Sequence, residues 1–155
     1  MDKHDPQLAK FLATIDKSKF SVEGYQVRVE KPWGYELLLE TPGSPYTSKI
    51  MHIKAGARES LQVHDSKTET YTILSGRAAL LQEDKNGEMV HCELQPGTGY
   101  TTQVGQKHRL VGITDCNIFE ASTPETGTTW RLEDDYHRSD ETEAMRSEPN
   151  RGWKD

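Results

Sequence analysis

Three lone-pair donors crowd one short stretch of the chain. In LQVHDSKTETYTILSG, residues 61–76, Gln62, His64 and Glu69 stand where apolar side chains would bury better. If residues 59–64 are extended, Gln62 and His64 are two apart and project from the same face. DSKT then makes a four-residue turn, and Glu69 opens the returning strand opposite them. His108 follows the turn residues VGQK, opens a further strand and supplies a fourth candidate. An amide oxygen, two imidazoles and a carboxylate suit a divalent ion such as zinc, manganese, iron or nickel. No thiolate joins the set, which argues against a closed structural zinc site and for one with room for water or substrate. Taken alone, a Gln-x-His pair also fits the polar outer face of a strand, so the pattern by itself leaves both readings open.

The elements that must bring these residues together are short and β-rich. From Tyr25 onward, runs such as YQVRVE, YELLLE, TSKIMHI, ESLQVH, RAALLQE, HRLVGIT and CNIFEAS are punctuated by Gly, Pro, Asn and Asp. That rhythm is the signature of a β-sandwich or barrel. Asn86-Gly87 lies between two such runs and predicts a hairpin, because both residues tolerate positive φ. Ahead of the strands, PQLAKFLATI carries a helical pattern, with Pro6 where a first turn tolerates it. Beyond RLEDDYHR the stretch SDETEAMRSEPNRGWKD has no periodicity and few apolar residues, and reads as a mobile terminus or a lid that orders on binding. The expected organisation is a partly helical N-terminal extension over 1–24, one barrel over 25–138 and a flexible tail over 139–155.

Composition narrows the partners. A chain of 155 residues suits one domain. Acidic residues outnumber basic ones by 25 to 19, for a net charge of −6. With no clustered basic run, nucleic acid is not an expected partner. No apolar run approaches the roughly 20 residues that span a bilayer, so no membrane partner is expected either. The opening MDKHDPQLAK lacks the basic and apolar regions of a secretory signal, and a cytoplasmic setting is expected. Cys92 and Cys116, far apart in sequence, read as reduced structural thiols.

Glycines at fixed distances around the candidate ligands carry a family resemblance. Gly56, Gln62, His64, Glu69 and Gly76 resemble the first signature motif of the cupin superfamily, with Gln62 where histidine is usual. Gly97, Gly105 and His108 resemble the second, with Gln103 in place of proline and Gly112 in place of asparagine. Gln-x-His at this point is similar to the phosphomannose isomerases among cupins. RVEKPWGYELLLE, KIMHIKAG, GQKHRL, IFEAS and RLEDDYHR resemble successive segments of the type II mannose-6-phosphate isomerase cupin domain, over most of residues 28–138. DSKT stands where those isomerases are rich in histidine and arginine, a departure that bears on the substrate more than on the metal. The resemblance implies an all-β fold, a cupin-type double-stranded β-helix (jelly-roll barrel), here with a short N-terminal helical segment. It also implies one divalent metal ion on Gln62, His64, Glu69 and His108, zinc first, with manganese, iron or nickel as alternatives.

By the same resemblance the expected activity is aldose–ketose isomerisation of a sugar or sugar phosphate through an enediolate. A phosphate would need a cation near the metal, ideally an arginine that bonds it twice. Arg58 is the first choice, since it shares strand parity with Ser60, Gln62 and His64, and Lys49 is another. Arg109 alternates away from His108 and reaches the pocket only if its strand starts irregularly. Solvated strand edges account for such cations equally well. Tyr71 shares a face with Glu69, as a pocket wall or as core filler, while Glu120 and His52 lie on strands and are candidate general bases. Leu61 and Val63 point away from the ligands and need cover from the N-terminal segment or a second subunit, so a homodimer is expected. Two rival functions suit the same fold: an iron- or nickel-dependent dioxygenase, for which Gln62 is a weak ligand, and a non-catalytic sugar-binding barrel.

Overall fold

The computed structural model describes residues 5–154. Helix α1, Pro6–Ala13, starts at Asp5, whose carboxylate accepts from the Gln7 N–H at 2.8 Å, and Pro6 occupies its first turn. None of its side chains is buried. The strands are β1 Val27–Lys31, β2 Gly34–Leu38, β3 Thr47–Ile53, β4 Leu61–His64, β5 Glu69–Ser75 and β6 Ala78–Glu83. They continue as β7 Met89–Glu93, β8 Tyr100–Thr102, β9 His108–Gly112, β10 Cys116–Ser122 and β11 Thr129–Glu133. Two antiparallel sheets result, in the orders β1-β2-β3-β10-β5-β8 and β11-β4-β9-β6-β7. Strands distant in sequence lie side by side in both sheets, the crossing pattern of the expected jelly roll. Among the described residues no helix is long and apolar enough to cross a membrane. Cys92 and Cys116 are both free.

The predicted Asn86-Gly87 hairpin joins β6 to β7, with Glu83 opposite Met89 and Gly87 at φ +83°. The link from β4 to β5 is not the hairpin expected. β4 pairs with β9 and β11, whereas β5 pairs with β10 and β8. Residues 65–68 therefore carry the chain from one sheet to the other, and Glu69 meets Gln62 and His64 across the sandwich interior. A short polar turn has the same appearance in sequence whichever sheet the next strand joins. The motif residue Gly76 sits between β5 and β6 at φ +72°, where a Cβ would lie 2.1 Å from the Asp115 carbonyl oxygen. Only glycine closes that turn.

Inward positions divide the barrel into two halves. In β3 burial alternates residue by residue: Thr47, Lys49, Met51 and Ile53 are buried, with Ser48, Ile50 and His52 between them on the outer side. β5 turns Glu69, Tyr71 and Ile73 inward, and β10 turns Cys116, Ile118 and Glu120 inward. Because β10 is antiparallel to β3, Ile118 lies opposite Met51 while Glu120 lies opposite Lys49. One end is thus an apolar core that includes Trp33, Met51, Ile53, Ile73, Leu80, Leu110 and Ile118. The other end buries ionised groups, which a fold tolerates only when they are paired.

The segment after β11 folds back over this charged end. Glu141 bridges to Thr129, helix α2 spans Glu143–Arg146 under a Thr142 cap, and a 3-10 turn covers Pro149–Gly152. Asn150 Oδ1 accepts from the Glu30 N–H at 3.0 Å, fastening to β1 the stretch that reads from sequence as a mobile tail or lid.

Candidate metal centre

Both sheets contribute to one cluster at the charged end. β4 supplies Gln62 and His64, β9 supplies His108 as the register partner of Gln62, and β5 supplies Glu69 from the opposite sheet. His64 Nε2 lies 3.2 Å from Glu69 Oε1, and His108 Nε2 lies 3.1 Å from Glu69 Oε2. One ligand atom each from His64, Glu69 and His108 all fall within 4.8 Å of one another, and all three residues are buried. Gln62 Nε2 stands 3.5 Å from His108 Nε2, while its Oε1 accepts from Ser60 Oγ at 3.0 Å. A half-turn of that amide exchanges its oxygen and nitrogen.

The donor chemistry fits a divalent ion. His108 Nδ1 lies 2.9 Å from the Gln106 carbonyl oxygen, which can only accept. Nδ1 therefore carries the hydrogen, and the neutral ring offers its Nε2 lone pair inward, the arrangement that metal-bound histidines adopt. His64 Nδ1 meets Thr129 Oγ1 at 2.9 Å, and its buried Nε2 has no hydrogen-bond partner, because the approach of Glu69 Oε1 is not aligned as one. A buried imidazole nitrogen left in this state is one that a cation would satisfy.

Protonation states agree with that role. Burial pushes the His64 pKa down and keeps the imidazole neutral. Burial acts on His108 in the same direction, but the hydrogen bond and the charge of Glu69 together with the Gln106 carbonyl outweigh it and raise the pKa. Without an ion, Nε2 tends to hold a proton that a metal would displace. Burial opposes ionisation of Glu69, yet Lys67 Nζ at 2.7 Å and both imidazoles hold its carboxyl well below the usual carboxylate range. Tyr71 donates its hydroxyl to Glu69 Oε2, and burial together with that charge raises the phenol well above its ordinary value.

A ring of paired charges surrounds the cluster. Lys67 Nζ reaches Glu120 and Glu125 at 3.0 Å each. Lys49 Nζ lies 2.7 Å from Glu125, 3.2 Å from Glu36 and 3.9 Å from Glu120. Burial first, then the neighbouring Glu69 charge, pushes Glu120 up to about 7. In Glu36 burial is outweighed by Lys31 and Lys49, which hold the carboxyl at about 2. The cavity between these groups measures about 40 Å³, enough for a few water molecules.

Of the candidates read from sequence, Gln62, His64, Glu69, Lys49 and Glu120 line this cavity. His108 and Tyr71 stand against Glu69. Three others lie elsewhere. His52 is on the outer side of β3, stacked on Tyr35 at 4.9 Å and 3.0 Å from Asn117 Oδ1, so it is not a base in the cavity. Arg58 instead makes two bonds of 2.7 Å to Asp135. Its parity with Gln62 is broken, since Arg58 pairs with Val111 and Gln62 with His108. Four steps on one strand there match three on the other, a bulge that turns Glu59 and Ser60 to the cavity. Arg109 is buried but turned away as alternation requires, with Nε donating to the Glu59 carbonyl oxygen at 3.1 Å and Nη1 to Glu133 at 3.4 Å.

Sequence reasoning does not reach Glu36, Glu59, Glu125, Glu141 or Arg151, all of which line the cavity. A carboxylate set among the apolar residues of YELLLE is the one available signal, for Glu36. Glu125, Glu141 and Arg151 come from segments with no period to read.

The family model described as Mannose-6-phosphate isomerase C-terminal matches residues 19–141. No curated protein matches significantly. Among solved structures, Bacillus subtilis oxalate decarboxylase, studied for its Mn(II) centres, is similar at a TM-score of 0.62 and 16% identity, over 74% of this chain and 33% of that one. The formate complex of Lactobacillus farciminis oxalate decarboxylase is similar at a TM-score of 0.62 and 18% identity, over 74% of this chain and 37% of that one. The chain therefore spans little more than a third of those proteins, and likeness at such identity speaks for the fold alone. The match over most of the length, on a jelly roll that gathers histidines and a carboxylate from both sheets, places the chain in the mannose-6-phosphate isomerase C-terminal family, within the cupins.

Proposed function

We propose that the protein is a metal-dependent aldose–ketose isomerase acting on a sugar or sugar phosphate. The reading rests on one observation: the meeting of His64, Glu69 and His108 at the edge of the cavity that Glu120 also lines. These three, with Gln62, would hold the ion, zinc first and manganese, iron or nickel as alternatives. A bound ion supplies Lewis-acid polarisation of a carbonyl and its neighbouring hydroxyl. Glu120 takes the proton from the hydroxyl-bearing carbon and returns it to the former carbonyl carbon, while the hydroxyl proton passes to the former carbonyl oxygen, so the two carbons exchange oxidation level with atoms and electrons in balance. A carboxyl near neutrality both accepts and gives back a proton at small cost. Lys67 spans Glu69 and Glu120 and keeps the base aimed beside the ligand cluster. Outside the barrel, Trp130 lies opposite Val63 and is 48% exposed, which supports pairing of two copies through this sheet. The test is proton exchange: metal-loaded protein, incubated with hexose and pentose phosphates in heavy water, interconverts one aldose–ketose pair and labels C2. Absence of label in all of them refutes the reading.

A further inference from the structure

Six glutamates line the cavity beside the ligand cluster, and five of them meet a cation. Glu59 is the exception. It is 7% exposed, its Oε2 is buried without a hydrogen-bond partner, and among the described residues no lysine or arginine forms an ion pair with it. A buried carboxyl left without a cation keeps its proton, because a charge in a dry site needs a partner. Burial first, and then the nearby charges of Glu69 and Glu36, push its pKa up against the opposing pull of His108 and Lys49. An apolar side chain would fill the position at less cost, so packing does not account for the carboxyl.

The backbone aims this group. Arg58 pairs with Val111 and Gln62 with His108, and the bulge between the two pairs turns Glu59 to the cavity. Bulges beside reactive sites commonly redirect a side chain in this way. Two hydrogen bonds pin this one. The Glu59 N–H donates to the Leu110 carbonyl oxygen at 3.0 Å, and the Glu59 carbonyl oxygen accepts from Arg109 Nε at 3.1 Å. Arg109, turned away from the cavity, thus holds Glu59 in place from behind. Glu59 enters from the run into β4, in the sheet that carries Gln62, His64 and His108, whereas Glu120 enters from β10 in the facing sheet. Glu120 has Lys67 at 3.0 Å and Lys49 at 3.9 Å, and Glu59 has neither. Two carboxyls in one cavity, one beside ammonium groups and one apart from them, are suited to opposite protonation roles.

We propose that Glu59 is a second catalytic residue, an uncharged carboxyl that carries the hydroxyl proton between the two reacting oxygens of the substrate. The proposal rests on the isomerase reading and completes it, since Glu120 moves only the carbon-bound proton. One Glu59 oxygen gives its proton to the former carbonyl oxygen, and the other takes the proton of the neighbouring hydroxyl. Two O–H bonds break and two form, so Glu59 ends each turnover uncharged, as it began. Such a relay needs a carboxyl whose oxygens are not spent on other groups, and the Glu59 side chain makes no hydrogen bond among the described residues.

The test compares Glu59→Gln with wild type, both full-length and metal-loaded, on mannose 6-phosphate, glucose 6-phosphate and ribose 5-phosphate in heavy water. The amide keeps the shape and cannot relay the proton. E59Q returns the aldose labelled at C2 within severalfold of the wild-type rate, while ketose forms at least about 100-fold more slowly. E59D restores part of the conversion. Metal affinity, read by chelator competition, and the melting temperature stay close to wild type in E59Q. A second readout needs no turnover: the infrared spectrum of the metal-free wild type contains a carboxylic-acid C=O band that shifts in heavy water and is missing from E59Q. An unchanged band in E59Q, wild-type conversion by E59Q, or an equal loss of exchange and conversion overturns the proposal and leaves the isomerase standing. Wild-type protein that labels no sugar removes the isomerase and the relay together.

Discussion

Replacing Thr129 by valine takes one hydroxyl from behind His64 and keeps the β-branched shape of the strand. The wild-type hydroxyl sits 2.9 Å from Nδ1 and can accept its hydrogen, the tautomer that leaves the Nε2 lone pair for an ion. In T129V the hydrogen moves to Nε2, where Glu69 Oε1 lies 3.2 Å away. A metal ion must then reverse that tautomer and leave an Nδ1–H buried without an acceptor. Thr129 is 7% exposed, and the valine methyl that takes the place of the hydroxyl keeps water from that side of the ring. An unsatisfied buried donor costs about 1–3 kcal/mol. At about 1.4 kcal/mol per factor of ten, metal affinity falls about 10–100-fold, the span seen when partners behind metal-bound histidines are removed. Competition with a chromogenic chelator at neutral pH measures zinc or manganese affinity in wild type, T129V and T129S. The serine variant restores the hydroxyl and binds close to wild type, while the metal-free melting temperatures of all three stay close together. Unchanged affinity in T129V would refute His64 Nε2 as a ligand.

Three further outcomes follow from the same geometry. E120Q preserves shape and removes the base, so kcat for C2 exchange falls about 10²–10⁴-fold; wild-type activity rises with pH through the region of about 7. Because the folded pKa of Glu120 lies above its ordinary 4.5, its contribution to stability is complete below 4.5 and is lost as pH climbs through about 7. E120Q therefore flattens that part of the stability profile, which denaturation at pH 5 and pH 8 checks. His108 has a raised pKa in the metal-free protein, so metal uptake near neutrality expels a proton; calorimetry in buffers of different ionisation enthalpy gives different apparent heats, and identical heats would contradict this. R58A loses a surface pair with Asp135, changes stability by no more than about 1 kcal/mol and leaves metal affinity untouched; a large loss of affinity would overturn the outward placement of Arg58.

The ligand cluster was legible because two periods coincide on it. Strand alternation puts Gln62 with His64, and the glycine framework around them resembles a motif whose turns need positive φ, as Gly76 shows. Alternation also separates two of the candidates: Lys49 and His52 are three apart on one strand and cannot both face inward. Alternation misplaces Arg58, because a bulge that no local residue announces lies between it and Gln62. The crossing from β4 to β5 depends on which distant strand each edge meets, and that information is not local. Glu125, Glu141 and Arg151 enter the cavity through ion pairs formed only in the folded chain, so aperiodic segments with few apolar residues gave no warning of them.

A barrel that entrusts cohesion to Met51, Ile53, Ile118 and their neighbours leaves its opposite pole free to be rewritten. Specificity in such a molecule can drift without endangering the scaffold, on one condition. Several carboxylates there answer to more than one cation, as Glu125 does to Lys49, Lys67 and Arg151 and Glu120 to Lys49 and Lys67, so a lone exchange strands an opposite charge in the dry interior. Change at that pole must therefore come in matched sets, and descendants of this chain should differ there by compensated groups of residues and not by single letters.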